Sequence, residues 1–169
     1  FMKRDGTVKS WNKLSSWYGS VHSSLSSNGE FGFDCVVLGD RDGDGIQDLA
    51  ISSPDQNTAG QQQGAVFIFY MNRNGSSKAD IRITENYGGF NGTMLDFNDE
   101  FGCSMDSVGD LDGDGKVEIV FATWAGTVYV INTKGQDLPG WPKRLPLIPS
   151  CPLDPSKLAD RPCMDREHD

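Results

Sequence analysis

The sequence is poor in the residues that most often carry acid–base chemistry and zinc binding. It has two histidines and four cysteines among 169 residues, and no two cysteines stand in a Cys-x-x-Cys spacing. Nothing in it therefore argues for a zinc site. His22 lies among serines and is interpreted as a solvated loop residue. Because no nucleophile elbow or phosphate-binding loop is visible either, we expect no enzymatic activity.

Positive charge and long apolar stretches are also scarce. The chain has 15 basic and 24 acidic residues and a net charge of −9, so it lacks the basic stripe of a nucleic-acid-binding protein. No stretch approaches the roughly 20 apolar residues of a membrane span. The first residue is Phe1, and no signal peptide is visible. We therefore expect a processed or truncated form of a secreted protein.

Aspartate and glycine are concentrated in residues 40–48 (DRDGDGIQD) and 110–118 (DLDGDGKVE), with carboxylates at positions 1, 3, 5 and 9 and glycine at position 6. Alternate side chains of such a loop point inward around a hard cation, and the glycine permits the sharp turn. Oxygen ligands favour calcium, so two Ca²⁺ sites are predicted. The predicted ligands are Asp40, Asp42, Asp44, the Ile46 carbonyl and Asp48, and then Asp110, Asp112, Asp114, the Lys116 carbonyl and Glu118.

The two loops belong to a longer repeat and are not EF-hands. An EF-hand needs a glutamate at position 12, where these loops have Ile51 and Phe121. A Phe-Gly pair precedes each loop, at Phe31 and, 70 residues later, at Phe101. Apolar strand formers follow each loop, and a second apolar strand follows at residues 64–69 and 126–131. This recurrence is typical of a repeat architecture.

The order of Phe-Gly pair, acidic loop and apolar strand resembles the FG-GAP repeat of integrin-type β-propellers, and related repeats of bacterial surface proteins. The likeness covers about residues 31–85 and 101–145. The family's closing Gly-Ala-Pro is replaced by Ser-Ser-Pro at residues 52–54, and Glu118 replaces the final aspartate of the second loop. The resemblance implies four-stranded antiparallel blades, each with a metal loop between its first two strands.

We therefore predict an all-β fold of two propeller-like blades, with an N-terminal hairpin and an extended proline-rich arm. The hairpin turns at Asp5-Gly6 and matches the outer half of a further blade. Seven prolines between Leu138 and Pro162 favour an extended arm. The expected division is 1–30 (partial blade hairpin and linker), 31–98 (first blade and linker), 99–145 (second blade) and 146–169 (proline-rich tail).

Two sets of residues are predicted to form the cores of the blades. They follow the alternation of the strands, starting from the Phe-Gly rings. The first set is Phe31, Phe33, Val37, Leu49, Ile51, Val66 and Ile68, and the second is Phe101, Ile119, Phe121, Val128 and Val130.

Cysteines and sequons fit an extracellular setting. Four cysteines are compatible with two disulfides. Cys35–Cys103 with Cys151–Cys163 is one of three possible pairings, and two buried free thiols at Cys35 and Cys103 are an equal alternative. Asn74 and Asn91 begin Asn-Gly-Ser and Asn-Gly-Thr sequons in predicted turns, and we expect them to be glycosylated in a eukaryotic source.

Two functions remain open, because two blades and a half are too few to close a propeller. In the first, the chain is a secreted, calcium-binding structural module that assembles head-to-tail with copies of itself into a fibre or surface layer. In the second, it is an adhesion or glycan-binding module of a larger integrin-like or lectin-like propeller. A glycan or cell-surface ligand would then bind the loops at residues 55–63 or 85–98.

Overall fold

The computed structural model describes residues 2–18, 20–58, 61–90, 95, 99–132 and 134–145. These residues form an all-β structure, which confirms the predicted class. The predicted proline-rich arm, from residue 146 onward, lies outside them. The strands are β1 (Cys35–Gly39), β2 (Asp48–Ser53), β3 (Asn57–Thr58), β4 (Gln61–Gln62), β5 (Ala65–Met71), β6 (Ser77–Ile83), β7 (Ser104–Ser107), β8 (Ile119–Ala122), β9 (Thr127–Ile131) and β10 (Lys143–Arg144).

Eight of these strands form the two predicted four-stranded antiparallel blades. Blade 1 has the order β1-β2-β5-β6, and blade 2 has the order β7-β8-β9-β10. In both, each strand pairs with the next strand of the blade, as expected for a meander. The short hairpin β3-β4 occupies the connection between β2 and β5, where the sequence of the first repeat is longer.

The predicted N-terminal hairpin is present at residues 2–8. Met2 and Val8 form an antiparallel bridge, and the N–H of Lys3 donates to the carbonyl of Thr7 at 2.8 Å. Gly6 closes the turn with a φ of +82°, which a glycine adopts without steric cost. Both bridge residues remain largely exposed, so this hairpin adds an apolar surface to the molecule.

The main core lies between the two blades. One face of blade 1 packs against one face of blade 2, and β1 and β7 lie side by side at this junction. The backbone N–H of Met105 also donates to the carboxylate of Asp34 across it, at 2.9 Å. The buried members are Val36, Leu38, Ala50, Val66, Ile68, Ile83, Phe90, Leu95, Phe101, Met105, Ile119, Phe121, Tyr129 and Ile131.

The second Phe-Gly pair is the joint between the blades. The ring of Phe101 is fully buried and packs against Phe121 at 4.3 Å between centroids. Its backbone N–H donates to the carbonyl of Gln63 at 2.9 Å. A Cβ on Gly64 would lie 2.5 Å from the carbonyl oxygen of Phe101, so this approach requires glycine. The motif therefore fixes blade 2 to the backbone of blade 1.

A second core covers the opposite face of blade 1. Phe67 and Phe69 are fully buried there, and the ring of Phe31 meets each of them edge-on. The chain before blade 1 packs on this face through Leu14, Val21 and Leu25. The N-terminal segment thus takes the place that a neighbouring blade would have.

The predicted core is correct for most positions and wrong for Phe33 and Val37. These two side chains are 42% and 50% exposed, and Val36 and Leu38 face the core instead. The prediction extended the alternation of Phe31 into β1. Gly32, with a φ of +94°, reverses the chain between that ring and the strand, so the alternation starts anew at β1.

The remaining predicted core positions divide between full and partial burial. Phe31, Leu49 and Val128 are half-buried, because the first two lie at the edge of the second core and Val128 lies on the outer face of blade 2. The fully buried predictions are Ile51, Val66, Ile68, Phe101, Ile119, Phe121 and Val130.

Candidate metal centres

Each acidic loop joins the first two strands of its blade, as predicted. Loop 1 (residues 40–48) leads from β1 into the first residue of β2, and loop 2 (residues 110–118) ends immediately before β8. A register shift in β1 between Val37 and Gly39 precedes loop 1. Because the two blades share one topology, the loops occupy equivalent positions in their sheets.

The first aspartate of each loop organises the turn. Asp40 accepts hydrogen bonds from the backbone N–H groups of Gly43 at 2.8 Å and Gly45 at 2.7 Å. These contacts fold the chain around the carboxylate, as in an Asx turn. In loop 2, Asp110 accepts the equivalent bonds from Gly113 at 2.7 Å and Gly115 at 2.9 Å.

Three carboxylates converge in each loop. In loop 1 they belong to Asp40, Asp42 and Asp48, and one oxygen of each lies within 4.8 Å of the others. The matching group in loop 2 is Asp110, Asp112 and Glu118, at the same limit. In both groups the first two members are exposed and the last is fully buried. Each group thus has one buried carboxylate and two carboxylates on its solvent side.

The buried carboxylate of loop 2, Glu118, has an oxygen without a hydrogen-bond partner among the described residues. Oε2 of Glu118 accepts from the N–H of Leu111 at 2.5 Å, but Oε1 has no partner among the described residues. A buried carboxylate oxygen without a partner is costly, so this atom favours a bound cation. In loop 1, by contrast, the backbone N–H groups of Arg41 and Met71 satisfy both oxygens of Asp48.

The structure brings together only part of each predicted ligand set. Asp44 and Asp114 are not members of the three-carboxylate groups, and each accepts a bond from the N–H two residues further on. The roles of the Ile46 and Lys116 carbonyls stay predictions. The converging groups contain only carboxylate oxygens, the donors that Ca²⁺ prefers, so the residues present fit a calcium ion.

Lys78 distinguishes loop 1 from loop 2. Its ammonium lies 2.7 Å from Oδ2 of Asp42 and also contacts Oδ2 of Asp44. Hydrogen bonds to these two carboxylates raise the pKa of Lys78, and the same contact lowers the pKa of Asp44. Lys78 lies on β6, 34 residues beyond Asp44. The sequence of the loop itself gives no indication of this contact.

Arg41 lies in loop 1 but is buried at the junction of the blades. It is 5% exposed, and its three guanidinium nitrogens have no hydrogen-bond partner among the described residues. Burial lowers the pKa of Arg41, while Tyr70, Asp48, Asp114 and Glu118 act in the opposite direction. Two of these acids belong to loop 2, so one cation experiences the charge of both loops.

The predicted disulfide and glycosylation positions are only partly described. Cys35 is a free and exposed thiol, and Sγ of Cys103 lies 3.7 Å from the carbonyl of Ala122, so the structure does not join this pair. Cys151, Cys163 and Asn91 lie outside the described residues. Asn74 is exposed in the turn between β5 and β6, which suits the predicted glycosylation.

One polar contact was missed because its partners are far apart in sequence. His22, interpreted as a solvated loop residue, contacts the buried carboxylate of Asp80, 58 residues away. Arg82 and Tyr87 lie beside this pair. No spacing or motif links these positions, and only the packing of the N-terminal segment on blade 1 brings them together.

Comparison with known proteins identifies the repeat. The family described as "FG-GAP repeat" matches residues 36–69, which run from β1 through loop 1 to β5. The chain is 28% identical over 116 residues to integrin alpha-4 of Xenopus laevis, covering 65% of this chain and 10% of that protein. It is 31% identical over 106 residues to integrin alpha-X of Mus musculus, covering 63% of this chain and 8% of that protein. The chain therefore spans about a tenth of these relatives' length.

Proposed function

We propose that this chain, in which residues 36–69 match the FG-GAP repeat, is an extracellular adhesion module of integrin-type repeats whose blades are rigidified by calcium. One Ca²⁺ binds in each acidic loop. The proposal assigns the chain a role in binding and no catalytic step. The loop carboxylates hold the metal, and the blades present ligand-binding surfaces beside it.

Calcium binding is supported above all by the buried carboxylate of loop 2. Glu118 is fully buried, one of its oxygens has no partner among the described residues, and its carboxylate converges with those of Asp110 and Asp112. Three carboxylates that repel one another need a counter-charge, which a bound Ca²⁺ supplies. In loop 1 that charge is partly supplied by Lys78. We therefore expect loop 2 to bind calcium more tightly than loop 1.

The adhesive half of the proposal is supported by the relatives. The similar chains are integrin alpha subunits, and a cell-surface or extracellular location follows for this chain by analogy. In the part of the chain that the structure describes, no helix has the length and hydropathy needed to cross a membrane. The sequon at Asn74 and the acidic composition fit the same setting.

A calcium titration tests this function. We expect isothermal calorimetry to show two binding events, and the melting temperature to rise with calcium, because each site adds about 2.7 kcal/mol at roughly 100 times its Kd. Asp112→Asn removes an exposed ligand of loop 2 and should abolish the tighter event. Asp106→Asn, on an exposed aspartate of the same blade, is the matched control. The absence of both heat and thermal shift would refute the proposal.

Head-to-tail assembly is a second candidate function, favoured by the outer face of blade 2. This face corresponds to the face of blade 1 that blade 2 covers, yet its described residues are half-buried or exposed apart from Val130, which is 2% exposed. A second copy of this chain would offer the exposed apolar hairpin at residues 2–8 to this face. The equivalent positions are Asp106, Val120, Ala122 and Val128 in blade 2, and Val36, Ala50, Ser52 and Val66 in blade 1.

A further inference from the structure

A polar cavity of about 400 Å³ lies on the side of blade 1 that faces away from blade 2. It opens where the N-terminal segment crosses β6, and it contains no member of the metal loops. Its volume is at the lower end of the range for small-molecule sites, which suits a ligand of one ring. The lining residues are His22, Ser23, Ser24, Asp80, Arg82 and Tyr87.

Asp80 forms the buried floor of this cavity. Its side chain is fully buried and accepts hydrogen bonds from the backbone N–H groups of His22 at 2.6 Å and Ser23 at 2.8 Å. These bonds offset the cost of burying a carboxylate. They also hold the N-terminal segment against β6, so the cavity is preformed.

The same carboxylate fixes the histidine. Nδ1 of His22 lies 3.1 Å from Oδ1 of Asp80. A carboxylate only accepts hydrogen bonds, so Nδ1 donates to Asp80, which fixes the ring and leaves Nε2 to bond a ligand. The imidazole side chain is 57% exposed. The cavity thus offers an oriented ring nitrogen for a hydrogen bond with a ligand hydroxyl.

Arg82 and Tyr87 supply the other half of the site. The guanidinium carbon of Arg82 lies 4.9 Å from the centroid of the Tyr87 ring, a cation–π contact. Arg82 lines the cavity, and its planar guanidinium is suited to bind a carboxylate. The Tyr87 ring is 55% exposed and provides a flat surface beside it.

We propose that this cavity binds a sugar acid, with the carboxylate on Arg82 and a ring hydroxyl on Nε2 of His22. The hydroxyls of Ser23 and Ser24 line the same cavity and contact further ring hydroxyls. Both oxygens of Asp80 accept hydrogen bonds within the protein, so Asp80 itself does not bind the ligand. This inference rests on the proposed adhesive function and gives it a ligand class, an acidic saccharide.

The test is an NMR titration of the full chain with D-glucuronate at constant calcium and ionic strength. The chain has only two histidines, His22 and His168, so their imidazole signals are readily assigned. We expect a saturable shift at His22 and none at His168. Glucose, which lacks the carboxylate, and acetate, which lacks the hydroxyls, should each bind at least about tenfold more weakly than glucuronate.

Two variants separate recognition from general charge effects. Arg82→Met should weaken glucuronate binding by about tenfold or more, because a charge-assisted hydrogen bond is lost. Arg73→Met removes an exposed arginine of the turn between β5 and β6, outside the cavity, and should leave binding unchanged. If Arg82→Met does not fold, the wild-type titration decides.

Three outcomes would overturn the inference. These are the absence of a saturable shift at His22, an equal response to glucose or acetate, and an equal loss of binding in the two arginine variants. The calcium titration is a separate measurement. A chain that binds calcium but not glucuronate refutes this ligand class alone, and a chain that binds glucuronate but not calcium refutes the proposed metal function alone.

Discussion

At the scale of single residues, two cations outside the loop motif make the two acidic loops unequal. Lys78 contacts two carboxylates of loop 1, and Arg41 is buried where the charges of both loops reach it. Loop 2 has an exposed Leu111 at the position of Arg41. Two loops with the same spacing of carboxylates therefore lie in different electrostatic surroundings.

If loop 1 binds calcium as proposed, the ammonium of Lys78 competes with the ion for Asp42 and Asp44. Replacing it in Lys78→Met should raise the calcium affinity of the weaker site by about two- to fivefold, the effect of losing one partly exposed ion pair. Isothermal calorimetry measures this change. Lys134→Met removes an exposed lysine from the turn that follows β9 in blade 2 and should change neither site. If the two variants bind calcium equally well, Lys78 is not a competitor.

The hydroxyl of Tyr129 makes stability sensitive to alkaline pH. Burial raises the pKa of Tyr129 to about 12, and the carboxylates of Asp99, Asp137 and Glu85 act in the same direction. The unfolded chain loses this proton near pH 10. Below pH 10 the titration of Tyr129 therefore costs the folded state nothing. As the pH rises to 12, the free energy of unfolding falls by on the order of 2 kcal/mol.

Tyr129→Phe should remove this part of the alkaline loss. Denaturant unfolding of both proteins at pH 9 and near pH 11.5 gives the difference between them. The wild type should lose more stability than the variant over this interval. Parallel losses in the two proteins would show that other groups, such as lysines, account for the alkaline limb.

At the scale of elements, the Phe-Gly pair explains how one blade is joined to the next. Phe101 enters the core between the blades, while its backbone lies against Gly64 of the preceding blade. Gly102 follows it under Val66, where a Cβ would approach Cγ2 to 3.0 Å. The motif thus serves to pack one repeat against the next, and the acidic loop is a separate feature of the same unit.

Removing the Phe101 ring should therefore cost more than removing any exposed ring. Phe101→Ala should lower the free energy of unfolding by about 3–5 kcal/mol, because a fully buried aromatic side chain leaves a cavity. Phe33→Ala, at a ring that is 42% exposed, should change it by less than about 1 kcal/mol. Equal losses in urea denaturation would contradict the position of Phe101 in the core.

At the scale of the whole molecule, one blade is covered on both faces and the other on one face. Blade 1 lies between blade 2 and the N-terminal segment. On the outer face of blade 2, Val120, Ala122 and Val128 are half-buried. Near the N-terminus, Met2, Val8 and Trp11 are 64%, 60% and 79% exposed. These two apolar surfaces are the ones that assembly would join.

Assembly can be tested by deleting the N-terminal hairpin. If copies join head-to-tail, removal of residues 1–11 should abolish polymers in sedimentation velocity and negative-stain microscopy, with calcium binding retained. Trp11→Ser in the full chain, at an exposed ring, should weaken association in the same direction. Fibres from the truncated chain, or a stable full-length monomer at high concentration, would rule out this mode of assembly.

The sequence by itself determined the features that depend on local spacing. The acidic loops, the strands after them and the burial of Phe101, Ile119 and Phe121 were all predicted correctly as positions in the fold. A loop of alternating carboxylates closes on itself, and strand alternation requires only neighbouring residues. Such features need no knowledge of distant parts of the chain.

The tertiary structure alone decided which face of β1 is buried and which residues surround the sites. The turn at Gly32 resets the alternation, so Val36 replaces Val37 in the core. Lys78 reaches loop 1 from β6, and Asp80 meets His22 from a segment 58 residues away. These contacts depend on how sheets and segments pack against one another, and that packing follows from the burial of whole faces, which no local spacing encodes.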